Sequence, residues 1–258
     1  MKVVILCGGK GTRLREETEY KPKPMVQVGN RPIIWHIMNI YAHYGYADFI
    51  LPTGYKGDVI KEYFYHYKVR NSDFSVNLNT GAVQTYNNGA EQDWKVTIAD
   101  TGLDTLKGAR IKRIAKYIDS DQFMVTYGDG LADINLQALV EYHSNSGRIG
   151  TFTGVRMPSR FGTVATDSTG TIQRWQEKPI LDAFINGGFF VFERAFLDYL
   201  SSGDNCELEK EPLEKLAAEG QLGMYHHDGF WTCMDTFRDY QYLNKLWDRG
   251  QAPWDLRP

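Results

Sequence analysis

The chain has 258 residues, of which 42% are hydrophobic and 24% are charged, and its formal net charge at pH 7 is −3. This balance is typical of a globular protein with a sizeable core, and the net negative charge argues against a nucleic-acid-binding protein. No apolar run reaches the roughly 18 residues of a membrane span, so we expect neither a membrane protein nor a signal peptide. Three widely spaced cysteines, Cys7, Cys206 and Cys233, form no zinc motif or disulfide framework, which favours a reducing cytoplasm.

The first predicted element is a buried parallel strand over residues 3–7, a mostly β-branched run that stops at a glycine turn. Three glycines within Gly8-Gly9-Lys10-Gly11 allow backbone N–H groups to approach a ligand closely. Arg13 then supplies a planar cation suited to phosphate oxygens, and Lys21 and Lys23 follow on a segment that two prolines hold extended. A strand, a glycine turn and three cations together predict a polyphosphate site.

Two common phosphate-binding motifs are missing from this stretch. A P-loop needs a glycine followed by Lys-Ser or Lys-Thr, and no such spacing occurs here. The dinucleotide fingerprint fails because Leu14 stands where its third glycine belongs. An NAD-dependent oxidoreductase is therefore disfavoured.

Further along the chain, predicted strands alternate with predicted helices. Strands are predicted at 48–51, 95–99, 123–127, 151–156, 162–166, 171–176 and 186–192, and helices at about 30–45, 58–67, 134–146, 195–201, 206–219 and up to 248. This rhythm predicts an α/β fold, a Rossmann-like mixed and mostly parallel sheet flanked by helices. With no linker or repeat in sight, we expect a single domain over 1–258.

A polar β excursion at about 71–93 interrupts that rhythm. Val76 and Leu78 alternate with polar residues as in a hairpin arm, and Thr80-Gly81 and Asn88-Gly89 are turn signals. The next predicted helix carries Arg110, Lys112, Arg113 and Lys116 on or near its polar face. That face could approach a triphosphate bound by a neighbouring subunit, or it could simply be solvated.

Two aspartates are candidate metal ligands. Asp129 is flanked by glycines at the end of a predicted strand, where open parallel sheets bind ligands, although Asp is also common in turns. Asp235 precedes the last helix, so it either caps that helix or holds a metal. His226 and His227 are adjacent on a predicted strand and point to opposite faces, so we interpret them as structural or solvent-facing.

Six motifs occur in the order that they have in the sugar nucleotidyltransferases. These are residues 8–14, Lys23-Pro24-Met25, Tyr127-Gly128-Asp129-Gly130, Glu177-Lys178-Pro179, Asn186-Gly187-Gly188 and Met234-Asp235-Thr236. The chain resembles this family over nearly its whole length. Further segments, among them Gly54-Tyr55-Lys56-Gly57 and Gly229-Phe230-Trp231, are similar to its cytidylyl branch.

The resemblance implies the nucleotidyltransferase fold and a reaction in which CTP and glucose 1-phosphate give CDP-glucose and pyrophosphate. It implies Mg²⁺ on Asp129 and Asp235, and catalytic roles for Arg13, Lys23 and Lys178. The implied sugar-binding residues are Glu177, Lys178, Asn186, Gly187 and Gly188. The implied nucleotide-binding residues are Leu6, Cys7, Gly8, Gly9, Lys10, Gly11, Thr12, Arg13, Lys23, Thr105, Arg110 and Gly128, of which Thr105 and Arg110 could serve a neighbouring subunit. We therefore expect a homo-oligomer.

The chemistry needs charge neutralisation more than it needs a catalytic base. A sugar 1-phosphate has a second pKa of about 6 and is mostly a dianion at pH 7. Its obstacle is repulsion from the triphosphate, which cations and in-line positioning overcome. A uridylyl- or thymidylyltransferase stays open as an alternative. A non-catalytic nucleotide-binding subunit is a second alternative, although it would have lost Arg13, Lys23, Asp129 or Asp235, and this chain keeps all four.

Overall fold

The computed structural model describes residues 1–86, 93–159 and 161–256, apart from the side chains of Arg15 and Glu16. The strands are β1 (Lys2–Leu6), β2 (Gln27–Val28), β3 (Arg31–Pro32), β4 (Asp48–Thr53), β5 (Asp73–Val76), β6 (Val83–Tyr86), β7 (Lys95–Asp100), β8 (Gln122–Tyr127), β9 (Gly130–Ala132), β10 (Gly150–Pro158), β11 (Thr163–Thr166), β12 (Ile172–Gln176), β13 (Ile180–Asn186), β14 (Phe190–Glu193), β15 (Leu222–His227) and β16 (Trp231–Cys233). The helices are α1 (Arg15–Thr18), α2 (Ile33–His43), α3 (Gly57–Tyr65), α4 (Tyr67–Arg70), α5 (Lys107–Arg113), α6 (Leu136–Ser146), α7 (Glu211–Ala218) and α8 (Phe237–Asp248). Three short 3₁₀ helices cover Lys23–Met25, Ala115–Tyr117 and Arg194–Tyr199.

Eight strands form one central sheet in the order β13-β10-β14-β8-β1-β4-β7, with β15 paired to β10. Strands β8, β1, β4 and β7 run parallel to one another, whereas β14 lies antiparallel between β8 and β10. The expected α/β architecture, a mixed and mostly parallel sheet flanked by helices, is confirmed. Among the residues described, no helix is long and apolar enough to cross a bilayer.

The apolar run of β1 is buried on both sides because successive side chains of a strand point to opposite faces. Val3 and Ile5 pack in a core cluster with residues of α2, α6 and α8. Val4 and Leu6 pack in a second cluster with residues of α5, α7 and the Arg194–Tyr199 helix. The sheet therefore has helices packed against both of its faces.

The carboxyl ends of the parallel strands meet at one edge. Leu6 pairs with Tyr127 across β1 and β8, and Cys7 forms a bridge to Thr53 at the end of β4. The glycine turn after β1 and the Gly128-Asp129 turn after β8 consequently leave the sheet side by side. This edge is where doubly wound sheets bind their ligands.

Several predicted elements have different boundaries in the structure. The strand predicted at 186–192 begins only at Phe190, and Asn186 is the last residue of β13, because Gly188 has a φ of +78° and Phe189 a φ of +45°, which extended chain does not adopt. The helix predicted at 58–67 is divided into α3 and α4, and the one at 195–201 is a 3₁₀ helix. The helix predicted from 206 begins only at Glu211, with Pro212 in its first turn, the position that proline tolerates.

The excursion is confirmed as a β-hairpin of β5 and β6, with Gly81 in the turn at a φ of +72°. The second predicted turn signal, at residues 88–89, lies outside the described residues. A second hairpin, β11–β12, leads to the Glu177-Lys178 motif. Both hairpins expose large apolar side chains, for example Leu78 at 91% and Trp175 at 65%.

Candidate active site

A pocket of about 620 Å³ opens at the carboxyl edge of the sheet. Most of the predicted site residues line it: Leu6, Cys7, Gly8, Gly9, Gly11, Thr12, Arg13, Lys23, Thr105, Arg110, Gly128, Asp129, Asn186 and Asp235. Five predicted residues are absent from its lining: Lys10, Glu177, Lys178, Gly187 and Gly188. A second pocket, of similar volume, is lined mainly by aromatic and apolar residues of α3, α4 and β7 and contains none of the predicted site residues.

Close approach, more than backbone freedom, explains the glycine at position 8. A Cβ on Gly8 would lie 2.2 Å from the guanidinium carbon of Arg110. Arg110 donates to the carbonyl oxygen of Gly8 at 3.0 Å and to those of Thr53 at 2.9 Å and Gly102 at 2.7 Å. One buried guanidinium therefore connects the turn after β1 to the ends of β4 and β7.

The prediction that Arg110 lies on the polar face of its helix is wrong. Arg110 is only 3% exposed, because its side chain points into the sheet edge towards backbone carbonyls that need a donor. Burial lowers the pKa of the guanidinium, and the nearby charge of Arg113 acts in the same direction. Arg110 lines the pocket, but its contact with CTP stays a prediction.

The other polar groups of this region are also engaged within the chain. Arg113 donates to the carbonyl of Ser202 and to Asp204, and Lys112 donates to the carbonyl of Leu197 at 2.6 Å. The Thr105 hydroxyl donates to Asp204 at 2.8 Å, and Thr105 is 5% exposed. These donors hold α5 to the segment before α7, so α5 offers less free positive charge than its sequence suggests.

Lys23 reaches the pocket because Gly128 has no side chain. A Cβ at Gly128 would lie 2.9 Å from Pro24 Cγ and 2.7 Å from the carbonyl oxygen of Leu6. Pro24 and Met25 are buried against the sheet edge, and the 3₁₀ turn that contains them starts at Lys23. The Lys-Pro-Met motif is thereby fixed, with its lysine beside the end of β8.

The Lys23 ammonium lies between two carboxylates, 2.6 Å from Asp129 Oδ2 and 2.5 Å from Asp235 Oδ1. Arg13 donates to the other oxygen of Asp235 at 2.6 Å. Burial acts to lower the pKa of Lys23, but Asp129 and Asp235 outweigh it and the pKa is raised. Burial acts to raise the pKa of Asp235, but the bonds from Lys23 outweigh it and the pKa is lowered.

Strand pairing explains how two aspartates so far apart in sequence converge. The short strands β9 and β16 are antiparallel, with Cys233 opposite Gly130, and the Met234 N–H donates to the Asp129 carbonyl at 2.9 Å. Thr236, not Asp235, caps α8, in a reciprocal capping box with Asp239. The interpretation of Asp235 as a helix cap is therefore wrong, and its carboxylate is free to face the pocket.

The donor set suits a hard divalent cation. Among the described residues there is no cluster of three or more His, Cys, Asp or Glu side chains able to hold a metal alone. Mg²⁺, however, is usually held by one or two carboxylates together with water and substrate phosphate oxygens. Asp129 and Asp235 already present one oxygen each to a single ammonium, so a compact cation fits between them.

The predicted sugar-binding residues fall into two groups. The Asn186 side chain donates to the Tyr127 hydroxyl at 2.8 Å and accepts from the Gly188 N–H at 2.9 Å, and the Gly187 carbonyl accepts from Trp231 at 2.7 Å. Lys178 lies away from the pocket, with its side chain 62% exposed and 3.8 Å from Glu177. The structure thus brings Asn186 to the site but not the Glu-Lys pair.

Sequence reasoning missed a group of residues that line the pocket near Asn186 and Tyr127. Lys107, Glu207 and Glu209 belong to the lining, as do Tyr127 and Trp231, which were noted in motifs without a role. Residues 206–219 were predicted as one helix, whereas Glu207 and Glu209 lie in the segment before α7, so the sequence pattern gave no signal for them. Lys10, which was expected at the nucleotide, pairs with Asp104 at 2.7 Å. The expectation for the adjacent histidines is confirmed, since His226 is exposed and His227 is buried.

Comparison with known proteins identifies the family. Residues 2–246 match the model of a family described as Nucleotidyl transferase. A probable glucose-1-phosphate cytidylyltransferase from Bacillus subtilis is 46% identical over 256 residues, which cover 99% of this chain and 100% of the relative. A glucose-1-phosphate cytidylyltransferase from Salmonella typhimurium is also 46% identical over 256 residues, with 98% of both chains covered.

A solved structure has the same architecture. The crystal structure of a putative glucose-1-phosphate thymidylyltransferase from Bacillus anthracis superposes with a TM-score of 0.70 at 19% identity, covering 100% of this chain and 97% of that one. At this identity the likeness bears on the fold alone. The family model and the two relatives identify the family as well, and they agree with the glycine turn and the carboxylate pair at the sheet edge. The chain belongs to the nucleotidyl transferase family.

Proposed function

We propose that this protein transfers a cytidylyl group from CTP to α-D-glucose 1-phosphate, releasing CDP-glucose and pyrophosphate with the help of Mg²⁺. The observation that carries the proposal is the convergence of Lys23, Asp129 and Asp235 beside the glycine turn. The choice of CTP and glucose 1-phosphate rests on the relatives at 46% identity.

The chain's cations have separate tasks in this reaction. The glycine turn and Arg13 would bind the triphosphate, and Arg13, with its side chain 74% exposed, can turn from Asp235 to the departing pyrophosphate. Lys23 would contact the α-phosphate from the floor of the pocket, where its side chain is 11% exposed. When bound, Mg²⁺ would be held by Asp129 and Asp235 and would neutralise phosphate charge. Positioning and neutralisation suffice, since the sugar phosphate is already a nucleophile.

Lys178 must move towards the pocket if it is to contact the sugar phosphate. Its side chain is exposed and its backbone has a φ of +46°, a left-handed conformation that few residues other than glycine adopt. It follows the β11–β12 hairpin, which pairs only with itself within the described residues. We expect the hairpin to move towards the pocket when glucose 1-phosphate binds, so that Lys178 and Glu177 contact the sugar phosphate and the sugar.

The decisive experiment measures pyrophosphate release for CTP, UTP and dTTP against a panel of hexose 1-phosphates, each with Mg²⁺ and with chelator. We expect turnover with CTP and glucose 1-phosphate and none with chelator. Turnover with UTP or dTTP but not with CTP would contradict the base assignment, and no turnover with any pair would contradict the enzyme itself.

Two further proposals concern the oligomeric state and the cellular compartment. We expect a homo-oligomer, because the β5–β6 hairpin exposes Phe74 and Val83 at 48% and 51% on a two-stranded element that is marginal by itself. We also expect the cytoplasm as the compartment, because the three cysteines are free thiols.

A further inference from the structure

A chain of hydrogen bonds runs along the sugar end of the pocket and ends at Asn186. The Tyr127 hydroxyl donates to Glu209 Oε1 at 2.7 Å, and the Asn186 amide nitrogen donates to the Tyr127 oxygen at 2.8 Å. Oδ1 of Asn186 then accepts from the Gly188 N–H at 2.9 Å. The chain therefore joins the segment before α7, the end of β8 and the turn between β13 and β14.

The direction of these hydrogen bonds is set at the Glu209 end. An ionised carboxylate only accepts, so a tyrosine hydroxyl beside it must donate and leaves its lone pairs for another donor. The Asn186 amide nitrogen is that donor, and the Gly188 N–H completes the orientation at the other side of the amide. One Nδ2 hydrogen and one Oδ1 lone pair of Asn186 remain for a ligand.

Glu209 is kept as a carboxylate by its neighbours. Lys107 lies 2.8 Å from Glu209 Oε1 and 3.1 Å from Glu207 Oε1. Burial acts to raise the pKa of Glu209, but hydrogen bonds from Glu207, Lys107 and Tyr127 outweigh it and the pKa is lowered. Burial and the hydrogen bond with Glu209 raise the pKa of Glu207, so Glu209 is the carboxyl of the pair that ionises more readily.

We propose that Glu209 is a positioning residue for the sugar substrate: through the Tyr127 hydroxyl it fixes the orientation of the Asn186 amide, which then hydrogen bonds one hydroxyl of the sugar. The inference rests on the proposed function, because it needs a sugar phosphate in this part of the pocket. It adds to that function a residue, Glu209, that lies outside the family motifs noted in the sequence. Glu209 acts on the sugar through Tyr127 and Asn186 and not by direct contact.

The test compares Glu209→Gln, Tyr127→Phe and the double variant in steady-state kinetics with both substrates. The glutamine can donate as well as accept, so it no longer dictates the direction of the Tyr127 hydroxyl, and phenylalanine removes the hydroxyl. Each single change should raise the KM for glucose 1-phosphate roughly threefold to tenfold, the size expected for one misdirected hydrogen bond. The KM for CTP should stay within about twofold, and the double variant should be no worse than the poorer single one, because both changes interrupt the same chain.

The chain supplies a matched control. The Tyr199 hydroxyl donates to Glu219 Oε2 at 2.5 Å, a tyrosine–glutamate pair of the same kind on the surface and outside the pocket lining. Glu219→Gln and Tyr199→Phe should change neither KM. Melting temperatures of all variants show whether any is merely unfolded, and the CTP KM serves as an internal check of the nucleotide end.

Deoxy analogues of glucose 1-phosphate identify the hydroxyl. One analogue should bind worse than glucose 1-phosphate to the wild type but equally to Glu209→Gln. Equal effects on both KM values, multiplicative effects in the double variant, or the same losses in the control pair would each overturn the inference. A wild type that turns over no sugar 1-phosphate would instead overturn the proposed function and the inference with it, so the two failures are distinct.

Discussion

The Lys23 ammonium lies 2.5 Å from Oδ1 of Asp235, although 212 positions separate the two residues in the chain. The same ammonium is 2.6 Å from Asp129, so one cation of the protein neutralises both proposed metal ligands. The Lys23 ammonium therefore lies between the two carboxylates proposed to hold the divalent ion. Because Lys23 pairs with both carboxylates, neither is left as an unpaired charge. Binding of the metal and the substrates must therefore rearrange these two ion pairs.

Removing Lys23 should therefore strengthen metal binding by the free protein. Lys23→Met takes away the competing ammonium, and we expect Mn²⁺, as a spectroscopic substitute for Mg²⁺, to bind roughly tenfold more tightly. This corresponds to about 1.4 kcal/mol, between the values for exposed and buried ion pairs. Electron paramagnetic resonance titration without nucleotide measures it. Turnover should fall at the same time, because the variant no longer has the Lys23 ammonium to contact the α-phosphate. Weaker Mn²⁺ binding in the variant would contradict the idea that Lys23 and the metal compete for the two carboxylates.

Losing one carboxylate should reduce turnover while preserving the fold. Asp129→Asn keeps the shape of the turn but removes the charge that Lys23 and the metal share, so kcat should fall by about two orders of magnitude or more at limiting Mg²⁺. Asp104→Asn is the control, since Asp104 forms an ion pair with the exposed Lys10 and neither residue lines the pocket. Unchanged rates in both Asp129→Asn and Asp235→Asn would show that these carboxylates have no catalytic part.

Arg13 and Lys178 should act on different substrates. Arg13 lines the pocket beside the glycine turn, so Arg13→Ala should lower kcat and impair the response to CTP. Lys178→Ala should mainly raise the KM for glucose 1-phosphate, because a lysine proposed to contact the sugar phosphate equally in the ground and transition states contributes to binding and not to kcat. Steady-state kinetics with each substrate varied in turn measures both, and equal effects of both changes on both substrates would contradict the division.

The sequence predicted the fold and four charged residues that line the pocket, Arg13, Lys23, Asp129 and Asp235, but it missed Lys107, Glu207 and Glu209 and did not show how the charges pair. Strand runs such as residues 3–7 and 123–127 are long apolar signals, and their burial follows from composition. The bond from Lys23 to Asp235 depends on the pairing of β9 with β16, a contact between segments about one hundred residues apart that no local pattern encodes. The position of Arg110 was predicted wrongly for a related reason: its carbonyl partners, Gly8, Thr53 and Gly102, lie in three segments far apart in the chain.

Stability should decrease in mild acid through His143. The ring is buried, with Nδ1 2.9 Å from Thr151 Oγ1 and Nε2 3.2 Å from Glu193 Oε1, and burial lowers its pKa below the ordinary 6.5 in spite of Glu193. The unfolded chain therefore binds a proton that the folded chain does not, and stability is lost as pH falls below about 6.5. His143→Gln, compared with the exposed His226→Gln, should flatten this part of the curve in urea unfolding at pH 5 to 8. Parallel curves for wild type and His143→Gln would contradict it.

The β5–β6 hairpin should link assembly to the nucleotide. It exposes Phe74, Val76 and Val83 at 44% to 51%, more apolar surface than an isolated pair of strands tolerates in water. Arg110 is buried in its own chain, whereas the loop before α5 exposes Leu103 and Leu106, at 53% and 37%, together with Asp104. Deletion of residues 75–90 should give a smaller species in sedimentation, with a KM for CTP that rises more than that for glucose 1-phosphate. Val164→Ser on the β11–β12 hairpin, 51% exposed, is the control for a general loss of apolar surface. A fully active monomer would separate assembly from CTP binding and leave the hairpin as a surface loop.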